Sequence, residues 1–284
     1  MNLRSVGVLG SGIMGSGIAE VVAGTGAHVI VRSRSLASAE AMLAGLDASL
    51  ARQVDKGKRS AEDAAALRAR VRATSSLDEL AECDLVIESV VEDMDVKRTI
   101  FNELDRSVRH DAILATNTST LSVIDLAMET SRPERVCGLH FFNPAPIMPL
   151  VEVVRPLSAR DETIDEVLSF VRACGKDPVL VEDRAGFVVN ALLFPYLNDA
   201  IGLYERGVAT MEGIDLAMKG GCGFPMGPFA LLDLVGLDTS LAILNALYAE
   251  HRDARYAPAA MLRRLVSAGR LGRKSGQGFY DYRS

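Results

Sequence analysis

The stretch from Val6 to Gly15 restricts the fold more than any other part of the chain. Val6–Leu9 is a short apolar run that reads as a buried strand, and Gly10-Ser11-Gly12-Ile13-Met14-Gly15 follows it without a gap. An Ala-rich helical stretch then runs to about Gly26, and His28–Val31 reads as a second strand. A GxGxxG pattern is weak evidence by itself, since the chain holds 24 glycines. Its place between a strand and a helix is what gives it weight. Gly10 permits a tight turn, Gly12 lets a pyrophosphate approach the backbone, and Gly15 lets helix and strand pack closely. The helix N-terminus favours negative charge, so Ile13 and Met14 join the glycines as candidate cofactor-binding residues. The competing reading is a glycine turn that serves packing alone.

The alternation continues downstream. A helical segment from Leu36 to about Arg72 is broken near Gly57–Ser60. Asp84–Val91 is short and β-branched, Lys97–Val108 has helical period, and Ile113–Thr116 is again strand-like. Val136–Phe142 and Leu150–Val154 are apolar, followed by a helix over Glu162–Cys174 and a strand over Pro178–Glu182. Strand and helix taking turns predicts an α/β fold with a parallel doubly wound sheet. Past Gly186 the segments Phe187–Arg206, Leu216–Lys219, Leu231–Leu234 and Leu241–Glu250 look helical, separated by turns such as GGCGFPMGP. A boundary at Arg184–Gly186 therefore divides a dinucleotide-binding domain, residues 1–184, from an all-helical domain, residues 185–284.

Composition removes several function classes. With 284 residues, 49% of them hydrophobic and 24% charged, the chain can bury one large core or two moderate ones. A formal net charge of -6 and the lack of Trp argue against nucleic acid as a partner. No apolar run is long enough to span a membrane, and the opening MNLRSVGVLG lacks the pattern of a secretory leader. Cys83, Cys137, Cys174 and Cys222 are dispersed, without a CxxC pair, so neither a metal site nor a disulfide framework is expected. A reduced, cytoplasmic setting is the expectation.

The second strand ends unusually. An acid about 20 residues beyond the glycine motif ordinarily accepts hydrogen bonds from the adenosine ribose. Here Arg32, Ser33 and Arg34 fill that place. An acid would repel a 2′-phosphate, whereas a Ser hydroxyl donates to one and arginines supply charge and several donors. NADP is therefore favoured over NAD. The alternative leaves both arginines in solvent, with an NAD ribose held by backbone groups.

Beyond the carboxyl ends of later strands lie Asn117–Ser122 (NTSTLS) and Gly138–Pro146 (GLHFFNPAP), then Leu150–Val154 (LVEVV). His140 is suited to take the proton of an alcohol while hydride leaves the same carbon, and a buried Glu152 would orient it. Each residue has a plainer explanation as well. His140 beside two Phe residues reads as core, Ser119 as a helix cap and Asn190 as a packing residue. Glu152 in an apolar run is harder to dismiss, because a buried acid requires a partner.

Taken together, GVLGSGIMGSGIAE, NTSTLS, GLHFFNPAPIMPLVEVV, AGFVVNALLFPYLNDAI, GFPMGPFALLDLVGLD and GRKSGQGFYDY resemble the short-chain 3-hydroxyacyl-CoA dehydrogenase family, in order and over nearly the entire chain. The resemblance implies a Rossmann-type first domain, a helical second domain that forms a homodimer, and reversible oxidation of a short-chain L-3-hydroxyacyl-CoA. It implies that Ser119 holds the substrate oxygen, that His140 is the acid/base and Glu152 its orienting carboxylate, and that Asn190 completes the site. Asn117, Asn143, Glu92 and Lys97 match positions near the cofactor, and Ser49 and Lys56 match positions near CoA. Two other readings stay open: a hydroxyacyl group on a carrier protein or a free hydroxy acid as substrate, and a nucleotide-sensing protein without turnover. The four residues Ser119, His140, Glu152 and Asn190 speak against the latter, since a sensor needs no proton relay.

Overall fold

The computed structural model describes residues 3–283 and divides the chain into two compact units, one ending at Asp183 and the other starting at Arg184. The first unit contains β1 (Ser5–Leu9), β2 (His28–Arg32), β3 (Val71–Thr74), β4 (Leu85–Glu88), β5 (Ile113–Thr116), β6 (Val136–Phe141), β7 (Leu150–Arg155) and β8 (Asp177–Glu182). They form one eight-stranded sheet in the order β3-β2-β1-β4-β5-β6-β7-β8. Six helices accompany it: α1 (Ile13–Ala23), α2 (Leu36–Asp55), α3 (Ala61–Ala69), α4 (Met94–Ser107), α5 (Val123–Ala127) and α6 (Asp161–Ala173).

Strands β1 and β4–β6 are buried along almost their full length, which explains why they read as continuous apolar runs rather than alternating ones. Chain order reverses between β1 and β4, so a crevice opens at their carboxyl ends, where such sheets collect ligands. Short polar side chains start the helices. Ser35, Ser60, Asp93 and Ser122 each accept a hydrogen bond from a backbone N–H three residues on, at the starts of α2, α3, α4 and α5.

Two sequence expectations change. The helical reading to Arg72 overran: α3 stops at Ala69, and Val71–Thr74 forms the edge strand β3, with Val71 opposite Val29 of β2. Four residues cannot outvote a helix-rich window locally; pairing with β2 decides their state. The sheet is also not wholly parallel, because β6 and β7 are antiparallel.

The second unit is helical: α7 (Val189–Glu205), α8 (Met211–Cys222), α9 (Pro228–Val235), α10 (Leu237–His251) and α11 (Ala260–Ser267). Phe194, Leu197, Ile201, Phe229, Leu232, Leu244 and Leu262 form its core. The expected helices at Leu216–Lys219 and Leu241–Glu250 extend in both directions, and α11 was not expected at all. Two buried acids pin the unit. Asp215 accepts from the Phe229 and Ala230 amides at the start of α9, and Asp233 accepts from the Phe279 and Tyr280 amides of the C-terminal segment.

Candidate active site

The turn between β1 and α1 has the shape a dinucleotide needs. Gly10 has φ +112°, and a Cβ there would lie 2.3 Å from the Ser89 carbonyl oxygen. A Cβ at Gly15 would lie 1.9 Å from the Gly10 oxygen, while one at Gly12 would meet nothing within 4 Å. Two glycines thus allow close backbone packing, and the third faces open space. Gly12 is also the residue before α1, offers no capping side chain, and is followed by no acid in the first helical turn. Those helix-terminal N–H groups therefore suit a pyrophosphate. Ile13 is exposed on this turn, whereas Met14 packs against the sheet core.

At the end of β2, Ser33 is buried and its backbone N–H donates to the Thr74 carbonyl. Its hydroxyl lies 2.9 Å from that of Ser11, inside the glycine turn. The Arg32 guanidinium turns to the Ser75 carbonyl, at 3.3 Å, and Arg34 is exposed. No acid occupies the first turn of α2, which begins directly after.

The second half of the site is built on β5, β6 and β7. His140 and Glu152 are register partners on the antiparallel pair, so their side chains share a face. Both are buried, and His140 Nδ1 lies 2.7 Å from Glu152 Oε2. A carboxylate only accepts, so Nδ1 carries the proton and Nε2 of neutral His140 keeps its lone pair. Nε2 is 3.1 Å from the Ser119 hydroxyl, which donates to it in that state. The Phe142 ring stands 4.5 Å from the imidazole, centroid to centroid, tilted by 52°. Asn117 closes the arrangement: its Oδ1 accepts from the Phe141 N–H at 2.9 Å and its Nδ2 donates to Ser89 at 3.2 Å.

Beneath the Ser119 loop is a charged network. Glu92 Oε1 accepts from the Thr118 hydroxyl at 2.5 Å and from the Ser119 N–H at 2.8 Å. Lys97 Nζ lies 3.4 Å from Glu92 and 2.7 Å from Glu88, whose second oxygen accepts from Thr116. Lys97 and Glu88 have no accessible surface. Lys97, expected near the cofactor, is thus enclosed between Glu88 and Glu92, and it helps hold Glu92 in place. Glu88 was missed, although an acid inside the apolar run DLVIESV carries the same signal that singled out Glu152.

The remaining sequence candidates are carried by other elements of the chain. Asn143 is exposed on the loop between β6 and β7, and that loop is held by Lys176, whose buried Nζ donates to the Met148 carbonyl at 2.8 Å. Burial lowers the pKa of Lys176. Ser49, on α2, donates to the buried Glu20 of α1 at 3.0 Å, and Lys56 is exposed where α2 ends. Asn190 is buried in the first turn of α7, within the helical unit. Ser11 was overlooked as a site residue because nothing in the motif separates it from a spacer; only the fold brings it to Ser33.

Two family models match in sequence. The NAD binding domain of 3-hydroxyacyl-CoA dehydrogenase matches residues 5–184, and the C-terminal domain of the same enzyme matches residues 186–282. A 3-hydroxybutyryl-CoA dehydrogenase from Clostridioides difficile is 46% identical over 275 residues, 97% of this chain and 98% of that protein. The crystal structure of FadB2 from M. tuberculosis superposes with a TM-score of 0.96 at 46% identity, covering 99% of each chain. That of the (S)-3-hydroxybutyryl-CoA dehydrogenase PaaH1 from Ralstonia eutropha gives 0.97 at 42% identity, covering 100% of each.

Proposed function

The chain belongs to the 3-hydroxyacyl-CoA dehydrogenase family, and we propose that it interconverts (S)-3-hydroxybutyryl-CoA, or a related short-chain L-3-hydroxyacyl-CoA, and the matching 3-ketoacyl-CoA. The observation that carries this reading is the line Ser119–His140–Glu152, with separations of 3.1 and 2.7 Å. A nicotinamide dinucleotide, when bound, supplies the acceptor or donor of hydride. The residues of the chain handle the proton. During oxidation, His140 Nε2 takes the proton of the C3 hydroxyl, and the Glu152 carboxylate stabilises the imidazolium that forms. During reduction the imidazolium returns that proton to the carbonyl oxygen. Ser119 holds the reacting oxygen beside Nε2, and Glu92 keeps the Ser119 loop in place through its backbone N–H. Glu152 is buried, so its charge acts on the imidazole with little solvent screening. Asn190 is assigned to substrate positioning, and Ser49 and Lys56 to the CoA moiety, on the strength of the family motif.

For the cofactor, the same reading favours NADP over NAD. Its support is the lack of an acid at Ser33, the exposed Arg34 and a first turn of α2 without acids. For assembly, the reading is a homodimer; exposed Leu192, Val208 and Leu216 of the helical unit supply apolar surface for it.

The test is steady-state reduction of acetoacetyl-CoA with NADPH and with NADH in parallel, comparing kcat/KM. Turnover with either supports the dehydrogenase, and the ratio decides the cofactor. No turnover with either overturns the assignment; activity on acetoacetyl groups without CoA would reassign the substrate handle.

A further inference from the structure

We propose that Ser11, rather than Ser33, makes the direct hydrogen bond to the 2′-phosphate of the cofactor, and that Ser33 acts through it. This rests on the reading of an NADP preference. The two hydroxyl oxygens are 2.9 Å apart, and one of them donates to the other. Each hydroxyl has a single proton, so a pair joined by one hydrogen bond uses one proton and leaves the other unspent. Exposure assigns the direction. Ser33 is 8% exposed just past the end of β2, whereas Ser11 is half-buried in the glycine turn, next to the exposed Gly12. Ser33 therefore donates to Ser11, and the outward proton belongs to Ser11.

The arrangement distinguishes a phosphate from a ribose hydroxyl by charge. A hydroxyl donating to a phosphate oxygen forms a charge-assisted bond, about twice as strong as a neutral one. Ser33 makes that bond stronger by donating into the Ser11 oxygen, which polarises the outward O–H. An acid at position 33 would reverse the line: a carboxylate accepts only, so Ser11 would turn its proton inward and present lone pairs to the ligand. The two arginines also differ: Arg32 Nε donates to the Ser75 carbonyl, whereas Arg34, the residue after Ser33, is exposed and can supply a cation to the phosphate.

A double-mutant cycle tests this, with kcat/KM for NADPH and NADH measured on the full-length protein carrying Ser11→Ala, Ser33→Ala, both, or Ser33→Asp. Ser11→Ala is expected to lower the NADPH:NADH ratio by roughly tenfold, the worth of one hydrogen bond to a charged group. Ser33→Ala lowers it by less, and the double variant resembles Ser11→Ala alone, because Ser33 has no route to the ligand except through Ser11. Ser33→Asp inverts the ratio. An unchanged ratio in Ser11→Ala, or independent and additive losses in the two single variants, overturns the proposal while leaving the NADP reading standing. A wild-type preference for NADH overturns both. Should Ser11→Ala fail to fold, Ser11→Gly removes the same hydroxyl without adding bulk to the turn.

Discussion

Glu152 stands directly across the antiparallel ladder from His140, and the 2.7 Å contact between Oε2 and Nδ1 is made by side chains that the register alone brings to one face. The carboxylate fixes which imidazole nitrogen is protonated and leaves Nε2 for the substrate. Glu152→Gln keeps the shape and removes the charge. Its kcat is expected to fall by roughly tenfold or more, with an altered pH–rate profile, and His140→Ala by about 100-fold or more, with cofactor binding retained. A Glu152→Gln enzyme with the wild-type profile would remove the carboxylate from the relay.

Gly12 and Gly15 belong to one motif and should fail in different ways. A Cβ at Gly15 falls 1.9 Å from the Gly10 oxygen, so Gly15→Ala must displace the turn from the helix and lower the melting temperature. A Cβ at Gly12 meets no protein atom within 4 Å, so Gly12→Ala keeps its melting temperature and loses cofactor affinity. Thermal unfolding beside cofactor titration separates the two.

Lys97 has two carboxylate partners, the buried Glu88 and the exposed Glu92. Lys97→Met strands Glu88 without its cation, which costs about 3–5 kcal/mol. Adding Glu88→Leu removes the stranded charge and recovers much of the stability. Turnover does not recover with it, since Glu92 still lacks the ammonium that helps hold it under Ser119. Denaturant unfolding and kcat on the single and double variants check both halves.

Alkaline pH should destabilise the native state through its buried thiols. Burial pushes the Cys137 pKa up to about 12 from an ordinary value of 9.0, and it raises Cys83 and Cys174 likewise. A group whose pKa is raised by folding binds its proton more tightly in the native state. Its contribution is complete below pH 9 and is lost as pH rises towards 12, by up to about 4 kcal/mol for a shift of this size. Cys137→Ala is expected to flatten the fall in stability between pH 9 and pH 11; an unflattened curve places the loss elsewhere.

Much of this was open to reading from residues alone, and the pattern of success is physical. The glycine turn, the buried strands β1 and β4–β6 and the break between α2 and α3 depend on neighbours within a few residues. The polar residues that start the helices work at the same range. Glu152 was legible because an acid in an apolar run cannot lack a partner. For Lys97 the motif names a position, and only the fold shows that its ammonium is enclosed between Glu88 and Glu92.

What the sequence by itself determined is therefore the class of the fold, the cofactor turn and the roster of chemical groups, all encoded in short-range pattern. The tertiary structure decided which groups meet. Val71–Thr74 became a strand only against β2, Glu152 faced His140 only through the register of β6 on β7, and Ser11 reached Ser33 only because β1 and β2 are neighbours. Each of these pairings joins segments between 12 and 42 residues apart. Local propensity does not extend over that distance, whereas strand register, once one face of the sheet is buried, places every side chain along it.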